Sequence, residues 1–208
     1  MIDVEYQLIR SSRKTICISI RNNSVIVRAP LRTSIERIES FILKKRDWIL
    51  KQLSSDNVFD ELSKFEYVLV KGEKVPLVFG EVNIIESNRV IVKDISCLNK
   101  LYYKTFKTEF LKLFEEVSNS SGLKAKSVSF RSYKARWGCC DSNNNIVFNY
   151  KLLMLPTKLW QCVIVHELCH TVYMDHSKNF KILAKCVMPS YNSLHKELKK
   201  YSSVTRLY

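Results

Sequence analysis

Val163-Ile164-Val165-His166-Glu167-Leu168-Cys169-His170 is an apolar run ending in an H-E-x-x-H pattern, and His176 follows six residues after the second histidine. On a helix, residues four apart are offset by only about 40° around the axis, so His166 and His170 project from one face and can share a metal ion. Glu167 directly follows His166. Its carboxylate can therefore lie beside that ion without being a ligand, where it can take a proton from water held by the metal. A hydrolytic zinc takes three protein ligands and keeps one position open, and His176 is the nearest candidate for the third. On a continuous helix His176 would lie roughly 9 Å further along the axis and about 120° round from His170. The helix is therefore expected to end between them. Asp175 tolerates the left-handed conformation used at helix ends and Ser177 is a good N-cap, so Met174 to Ser177 reads as a sharp turn that points His176 back at the metal. With 4 histidines and 13 glutamates in 208 residues, the pattern would arise by chance about 0.5% of the time. It thus outweighs the plain reading of two helix-surface histidines, and the apolar residues Cys162 to Val165 that abut it argue the same way.

The rest of the chain bounds the setting of that helix. With 208 residues, 46% of them apolar, a core of ordinary size is available for one generous domain or for a small domain attached to a larger one. No run approaches the roughly 20 apolar residues that span a bilayer, and the N-terminal stretch carries Asp3, Glu5 and Arg10 rather than an apolar signal, so a cytoplasmic protein without a membrane partner is expected. Seven cysteines in an irregular distribution point to reduced thiols. Cys139 and Cys140 are adjacent, which suits neither a zinc knuckle nor a redox pair, and packing is their expected role. The net charge is +14, and residues 101–208 hold 17 basic against 7 acidic side chains. Such a field favours an anionic partner, nucleic acid or nucleotide, against the plain alternative of a solvated lysine-rich surface.

Val4 to Arg10, Thr15 to Ile20 and Val25 to Arg28 read as strands of a small antiparallel sheet, the last two joined by a tight turn at Asn22-Asn23-Ser24. Ser34 caps a helix with apolar residues from Ile35 to Ile49 at helical spacing, running to about Leu53. Ser54 to Lys64 is polar enough for a connection, and short strands are expected over Tyr67 to Val70, Val75 to Phe79, Val82 to Glu86 and Val90 to Val92. The spacing of Leu101, Phe106, Phe110, Leu113, Phe114 and Val117 predicts an amphipathic helix from Leu98, ending near Ser118 to Gly122. Strands are then expected at Val128 to Arg131, Ala135 to Gly138 and Ile146 to Asn149, the last two joined by the turn formers Asp141 to Asn145. An edge strand there could pair with an extended peptide through backbone hydrogen bonds. Pro156 suits the first turn of the helix carrying the histidines. The organisation so read is α+β: a β-rich accessory domain with one helix over residues 1–97, and a second domain over residues 98–208.

Three further places have weaker signals. The Tyr191 hydroxyl, in the turn Met188-Pro189-Ser190-Tyr191, could aim at an oxyanion, against the plain reading of a half-buried loop residue. His195 lies in a final helix with a basic face and is expected at the surface. Arg136 and Trp137 serve packing as readily as substrate contact.

Beyond the metal motif, Arg136-Trp137-Gly138-Cys139-Cys140, Asn145-Ile146-Val147-Phe148-Asn149, Leu155-Pro156 and His176-Ser177-Lys178-Asn179-Phe180 resemble the YgjP-like metallopeptidase domain, a zincin-type family related to the SprT-like proteases. Arg13-Lys14-Thr15-Ile16, Val27-Arg28-Ala29-Pro30 and Lys45-Arg46-Asp47-Trp48-Ile49 extend the similarity over most of the chain. The chain departs from the family pattern at Cys139, where serine is usual, and at Lys181, where an aromatic residue is common; neither removes a ligand. Tyr173 replaces the glycine of metzincins, whose histidine spacing is the same. The resemblance implies a zincin-like metallopeptidase domain, with an active-site helix and a small antiparallel sheet, preceded by the β-rich N-terminal domain. It implies zinc held by His166, His170 and His176, Glu167 as general base, and a peptide or protein substrate. Two other readings stay open: a metal-dependent nucleotide phosphoanhydride hydrolase, and a nucleic-acid-associated protein whose zinc is mainly structural.

Overall fold

The structure, a computed structural model, describes residues 4–21, 24–53 and 66–207. The turn expected at Asn22-Asn23 and the connection expected over Ser54 to Lys64 lie outside the described residues. The chain divides into two compact units, Met1–Asp60 and Glu61–Tyr208, and among the described residues the fold is α+β with six α-helices and three small sheets.

In the first unit, β1 (Tyr6–Ser11), β2 (Cys17–Arg21) and β3 (Ser24–Pro30) form a sheet of order β1-β3-β2. β3 alternates Val25, Val27 and Ala29 into the core, where they meet Ile38, Ile42 and Ile49 from the two following helices. The sheet is mixed rather than antiparallel: β2 pairs antiparallel with β3, but β1 lies parallel to β3 on its other side. Turn residues signal only the neighbour joined by a short loop, so a pairing that skips a strand leaves no local trace. The single helix expected to Leu53 is two, α1 (Ile35–Lys44) and α2 (Arg46–Leu53). The break is at Lys45 (φ −109°, ψ 6°), whose N–H turns back to the Ile42 carbonyl.

In the second unit, β4 (Tyr67–Val70), β5 (Glu73–Phe79), β6 (Ile84–Ile85) and β7 (Val90–Val92) form one sheet, of order β4-β5-β7-β6. A long helix, α3 (Leu98–Ser121), ends at Gly122, which takes the left-handed conformation (φ 72°) typical of a helix C-terminus. β8 (Ser127–Arg131), β9 (Gly138–Cys140) and β10 (Asn145–Asn149) form the third sheet, with β10 in the middle, parallel to β8 and antiparallel to β9. The expected Ala135 to Gly138 strand therefore begins only at Gly138. The buried Asn149 amide donates to the carbonyls of Tyr133 and Arg136, both at 2.9 Å, and holds the preceding residues as a loop. Phe106, Phe110 and Phe114 of α3 interlock with Phe130, Phe148 and Trp160 at ring centroid distances of 4.9 to 6.1 Å. This aromatic core carries the helix with the H-E-x-x-H motif.

The division falls near residue 60, earlier than the boundary expected at 97/98. The strands β4 to β7 are tied to the helices that follow them: the Tyr102 hydroxyl donates to the Leu69 carbonyl at 2.6 Å, Lys71 pairs with Glu109 at 2.7 Å, and the Gly72 N–H donates to the Met154 carbonyl at 2.8 Å. Gly72 sits in the two-residue β4–β5 turn, in which Lys71 and Gly72 both have positive φ, 51° and 91°. A Cβ on Gly72 would lie 2.5 Å from the Pro156 ring, at the start of the motif helix. Gly72→Ala combines left-handed strain with overpacking. It is expected to cost about 2–4 kcal/mol and to lower the melting temperature by roughly 5–15 °C in calorimetry.

Candidate functional site

The motif helix, α4 (Thr157–Cys169), buries residues on every side: Leu159, Trp160, Cys162 to Val165, Leu168 and Cys169 are all inside. A helix apolar all round belongs in a core. His166, Glu167 and His170 are therefore polar groups delivered into that core rather than arranged on a wet face. The helix stops where the Thr171 and Val172 N–H groups turn back to Leu168 and Cys169, and α5 (Lys178–Val187) begins after its N-cap Ser177. Between them, Asp175 acts through its side chain, which accepts from the Ser177 N–H at 3.2 Å. The left-handed conformation expected for Asp175 is not adopted, since among the described residues only Lys71 and Asn144 combine a side chain with positive φ. This turn swings His176 back over α4.

The three rings converge through their Nε2 atoms. His170 Nε2 lies 3.2 Å and His176 Nε2 3.1 Å from His166 Nε2, and the candidate ligand atoms all fall within 4.8 Å of one another. Four-coordinate zinc with Zn–N distances of about 2.0–2.1 Å requires ligand nitrogens about 3.3–3.4 Å apart, so the two short separations fit one tetrahedral ion. The Tyr173 carbonyl lies 2.9 Å from His170 Nδ1 and can only accept; Nδ1 thus carries the proton and Nε2 presents its lone pair to the site. Phe180 of α5, fully buried, packs against all three imidazoles at centroid distances of 4.7 to 5.1 Å. Burial, reinforced by the neighbouring histidines, pushes His166 down to about 3, and burial also lowers His170. Both are neutral at physiological pH, the form in which imidazole binds metal.

Glu167 is 4% exposed, and its Oε2 has no hydrogen-bond partner among the described residues. Burial raises its carboxyl to about 8, and the guanidinium of Arg136 opposes the shift. A polar atom left unpaired at such depth needs a ligand or water to satisfy it. Glu167 lines a cavity of about 140 Å³, together with Arg136, Trp137, Gly138, His166 and His195. Gly138 is in van der Waals contact with the carboxylate: a Cβ there would lie 2.8 Å from Oε1. Arg136 and Trp137 thus come to the cavity wall, on a loop held from beneath by Asn149 and by the Thr205 hydroxyl, which donates to the Lys134 carbonyl at 3.1 Å.

The last helix, α6 (Tyr191–Leu198), contributes two residues read otherwise from sequence. The Tyr191 hydroxyl meets Nδ1 of His166 at 2.6 Å, on the far side of the ring from the converging nitrogens. It braces a candidate ligand from behind. His195, expected at the surface, is half-buried, stacks on His166 at 5.7 Å and 16°, and lines the cavity. Its Nδ1 lies 3.5 Å from the Tyr191 hydroxyl. The i, i+4 spacing of Tyr191 and His195 was the available signal. Cys139 and Cys140 are half-buried in β9, and burial, with Glu167 next, pushes Cys140 up to about 11; the candidate metal group contains histidines alone.

A family model, YgjP-like, metallopeptidase domain, matches residues 14–201. The chain belongs to this family. The YgjP-like match extends over most of both units and takes in the three histidines, Glu167 and the whole cavity lining, and the family is one of metal-dependent peptidases. No curated protein and no solved structure matches the chain. As far as a membrane is concerned, no helix among the described residues is long and apolar enough to cross one.

If His166 binds metal through Nε2, its Nδ1–H donates to Tyr191, which fixes the ring's orientation. Losing such an outer partner typically costs 10–100-fold in metal affinity. Tyr191→Phe is therefore expected to weaken zinc binding about 10- to 100-fold in a competition titration with a chromophoric chelator; an unchanged affinity would remove Tyr191 from that role.

Proposed function

We propose that the chain is a zinc-dependent metallopeptidase in which His166, His170 and His176 hold the metal and Glu167 is the general base. The observation that carries this reading is the convergence of three imidazole nitrogens, together with a cavity lined by both His166 and the buried Glu167, whose Oε2 has no partner among the described residues. A divalent ion held there supplies Lewis acidity, which polarises a carbonyl and acidifies water. Glu167 takes the proton from the attacking water at Oε2, the water oxygen bonds to the scissile carbonyl carbon, and the carbon–nitrogen bond breaks as Glu167 returns the proton to the leaving nitrogen. Burial raises this carboxyl to about 8 in the metal-free chain, and the charge of a divalent ion bound nearby would lower it again, leaving the carboxylate free to accept a proton.

A peptide substrate is favoured by β9, an edge strand of its sheet, where Gly138 lies close against Glu167. An extended peptide added to that edge would bring a backbone carbonyl to the site with little demand on sequence. The phosphoanhydride alternative lacks equivalent support, because among the described residues Arg136 is the only lysine or arginine in the cavity lining and a polyphosphate calls for several cations. The test is mass spectrometry of a mixed peptide library incubated with zinc-loaded protein, after chelation, and with His170→Ala. Cleavage that disappears on chelation, returns with zinc and is absent in the variant is expected. Cleavage that survives both treatments would overturn the proposal.

A further inference from the structure

The first unit holds a groove of about 910 Å³, bounded by the segment leading into β2, the loop after β3 and one face of α1. Four cations line it: Lys14 from the first segment, Arg32 from the loop, and Arg37 and Lys44 from the helix. Among the described residues no carboxylate is in the lining and none of the four cations is ion-paired. Elsewhere Lys71, Arg89 and Lys158 each have a carboxylate partner. Glu36, on the first turn of α1, is engaged with the Ser34 hydroxyl and the backbone. The concentration of cations follows from the helix itself. Ile38 and Ile42 take one side of α1 into the core, so Arg37, Ser40, Phe41 and Lys44, spaced by three, four and seven residues, share another side and face the groove.

The loop bearing Arg32 is braced. Arg10 donates from Nη1 to the carbonyls of Pro30, Leu31 and Thr33 at 3.3, 3.0 and 2.7 Å, so that arginine holds the groove's edge and is not free to bind. Arg37 and Lys44 stand about 10 Å apart along the axis of α1, too far to share one phosphate, which selects a ligand carrying several anionic groups in a row. Between them in sequence lies the half-buried ring of Phe41, a surface for a flat base and of no use to an acidic side chain. Hydroxyls of Thr15, Thr33 and Ser40 add neutral donors for phosphate oxygens. We infer that this groove binds single-stranded nucleic acid, with the four cations on successive phosphates and Phe41 against a base. It is a second site, wholly within Met1–Asp60, and it does not depend on the metal chemistry of the other unit.

The experiment is fluorescence anisotropy of a labelled, mixed-sequence single-stranded oligonucleotide titrated with the full chain between 50 and 200 mM salt. Removing three phosphate contacts in R32A/R37A/K44A should flatten the slope of log affinity against log salt by about 2 and weaken binding at least about tenfold at the lower salt. Phe41→Leu should weaken it about 5- to 100-fold with little change of slope, a signature that a general charge effect would not give. Arg37→Gln alone, a change on the exposed helix face, should take about a third of the slope change and guards against misfolding of the triple variant. The inference is overturned if the triple variant keeps the affinity and slope of the wild type, which would assign binding to the basic surface of residues 101–208. It is equally overturned if polyglutamate displaces the oligonucleotide at equal charge concentration, or if no binding is seen at 50 mM salt.

Discussion

Glu167→Gln is expected to lower kcat about 100- to 10,000-fold, the usual worth of a positioned general base, while zinc affinity stays within a few-fold of wild type. The amide keeps the shape of the side chain but cannot accept the proton, and the three proposed ligands are untouched. The buried position adds a second expectation for the metal-free protein. The Glu167 carboxyl is raised from 4.5 to about 8 by burial, so the unfolded chain gives up this proton first as pH increases. Folding stability from this group is therefore present below about pH 4.5 and is lost as pH climbs towards 8. A glutamine has no such loss. Metal-free Glu167→Gln should melt higher than the metal-free wild type at pH 8 and show no advantage at pH 4, measured by calorimetry. Turnover retained in the variant would falsify the assignment of the base.

Sequence alone made α4 and the three histidines legible because their relation is local. Two imidazoles four residues apart share a helix face whatever the rest of the chain does, and a third one six residues on can return only through a turn. The aromatic face of α3 was legible for the same reason, since Phe106, Phe110 and Phe114 repeat at helical spacing and all three are buried. What escaped was set by contacts distant in sequence. Tyr191 and His195 reach His166 from a helix that begins 25 residues later, and their i, i+4 spacing is as common on an exposed helix as at a site. The parallel pairings of β1 with β3 and of β8 with β10 join strands that no short turn connects. From sequence β4 to β7 look like the strands before them, and the Tyr102, Lys71 and Gly72 contacts are what show which helices they serve.

Gly138 connects the motif Arg136-Trp137-Gly138 to the chemistry, and Gly138→Ala should cost nearly as much activity as loss of the base itself. The residue does not need glycine for its backbone, because among the described residues positive φ occurs in glycine only at Gly72 and Gly122. What excludes a side chain is Glu167: a Cβ would lie 2.8 Å from Oε1, 2.9 Å from Cγ and 3.0 Å from Cδ. Either the carboxylate or the strand must move, and the carboxylate, at the end of a flexible side chain that lines the cavity, is the part that gives. Overpacking of this kind costs about 1–3 kcal/mol of stability, whereas misplacing a reacting group by about 1 Å can cost 100-fold in rate. The expected result is a folded, zinc-binding protein with kcat reduced about 100-fold. Stability data alone cannot separate this from a general packing defect, but the double variant can. If Gly138→Ala acts through the carboxylate, adding it to Glu167→Gln should lower kcat by less than about threefold further, because the group it displaces no longer works as a base. Full multiplication of the two losses would mean instead that Gly138 supports the reaction by another route, with β9 itself, as the edge offered to the peptide, the first place to look.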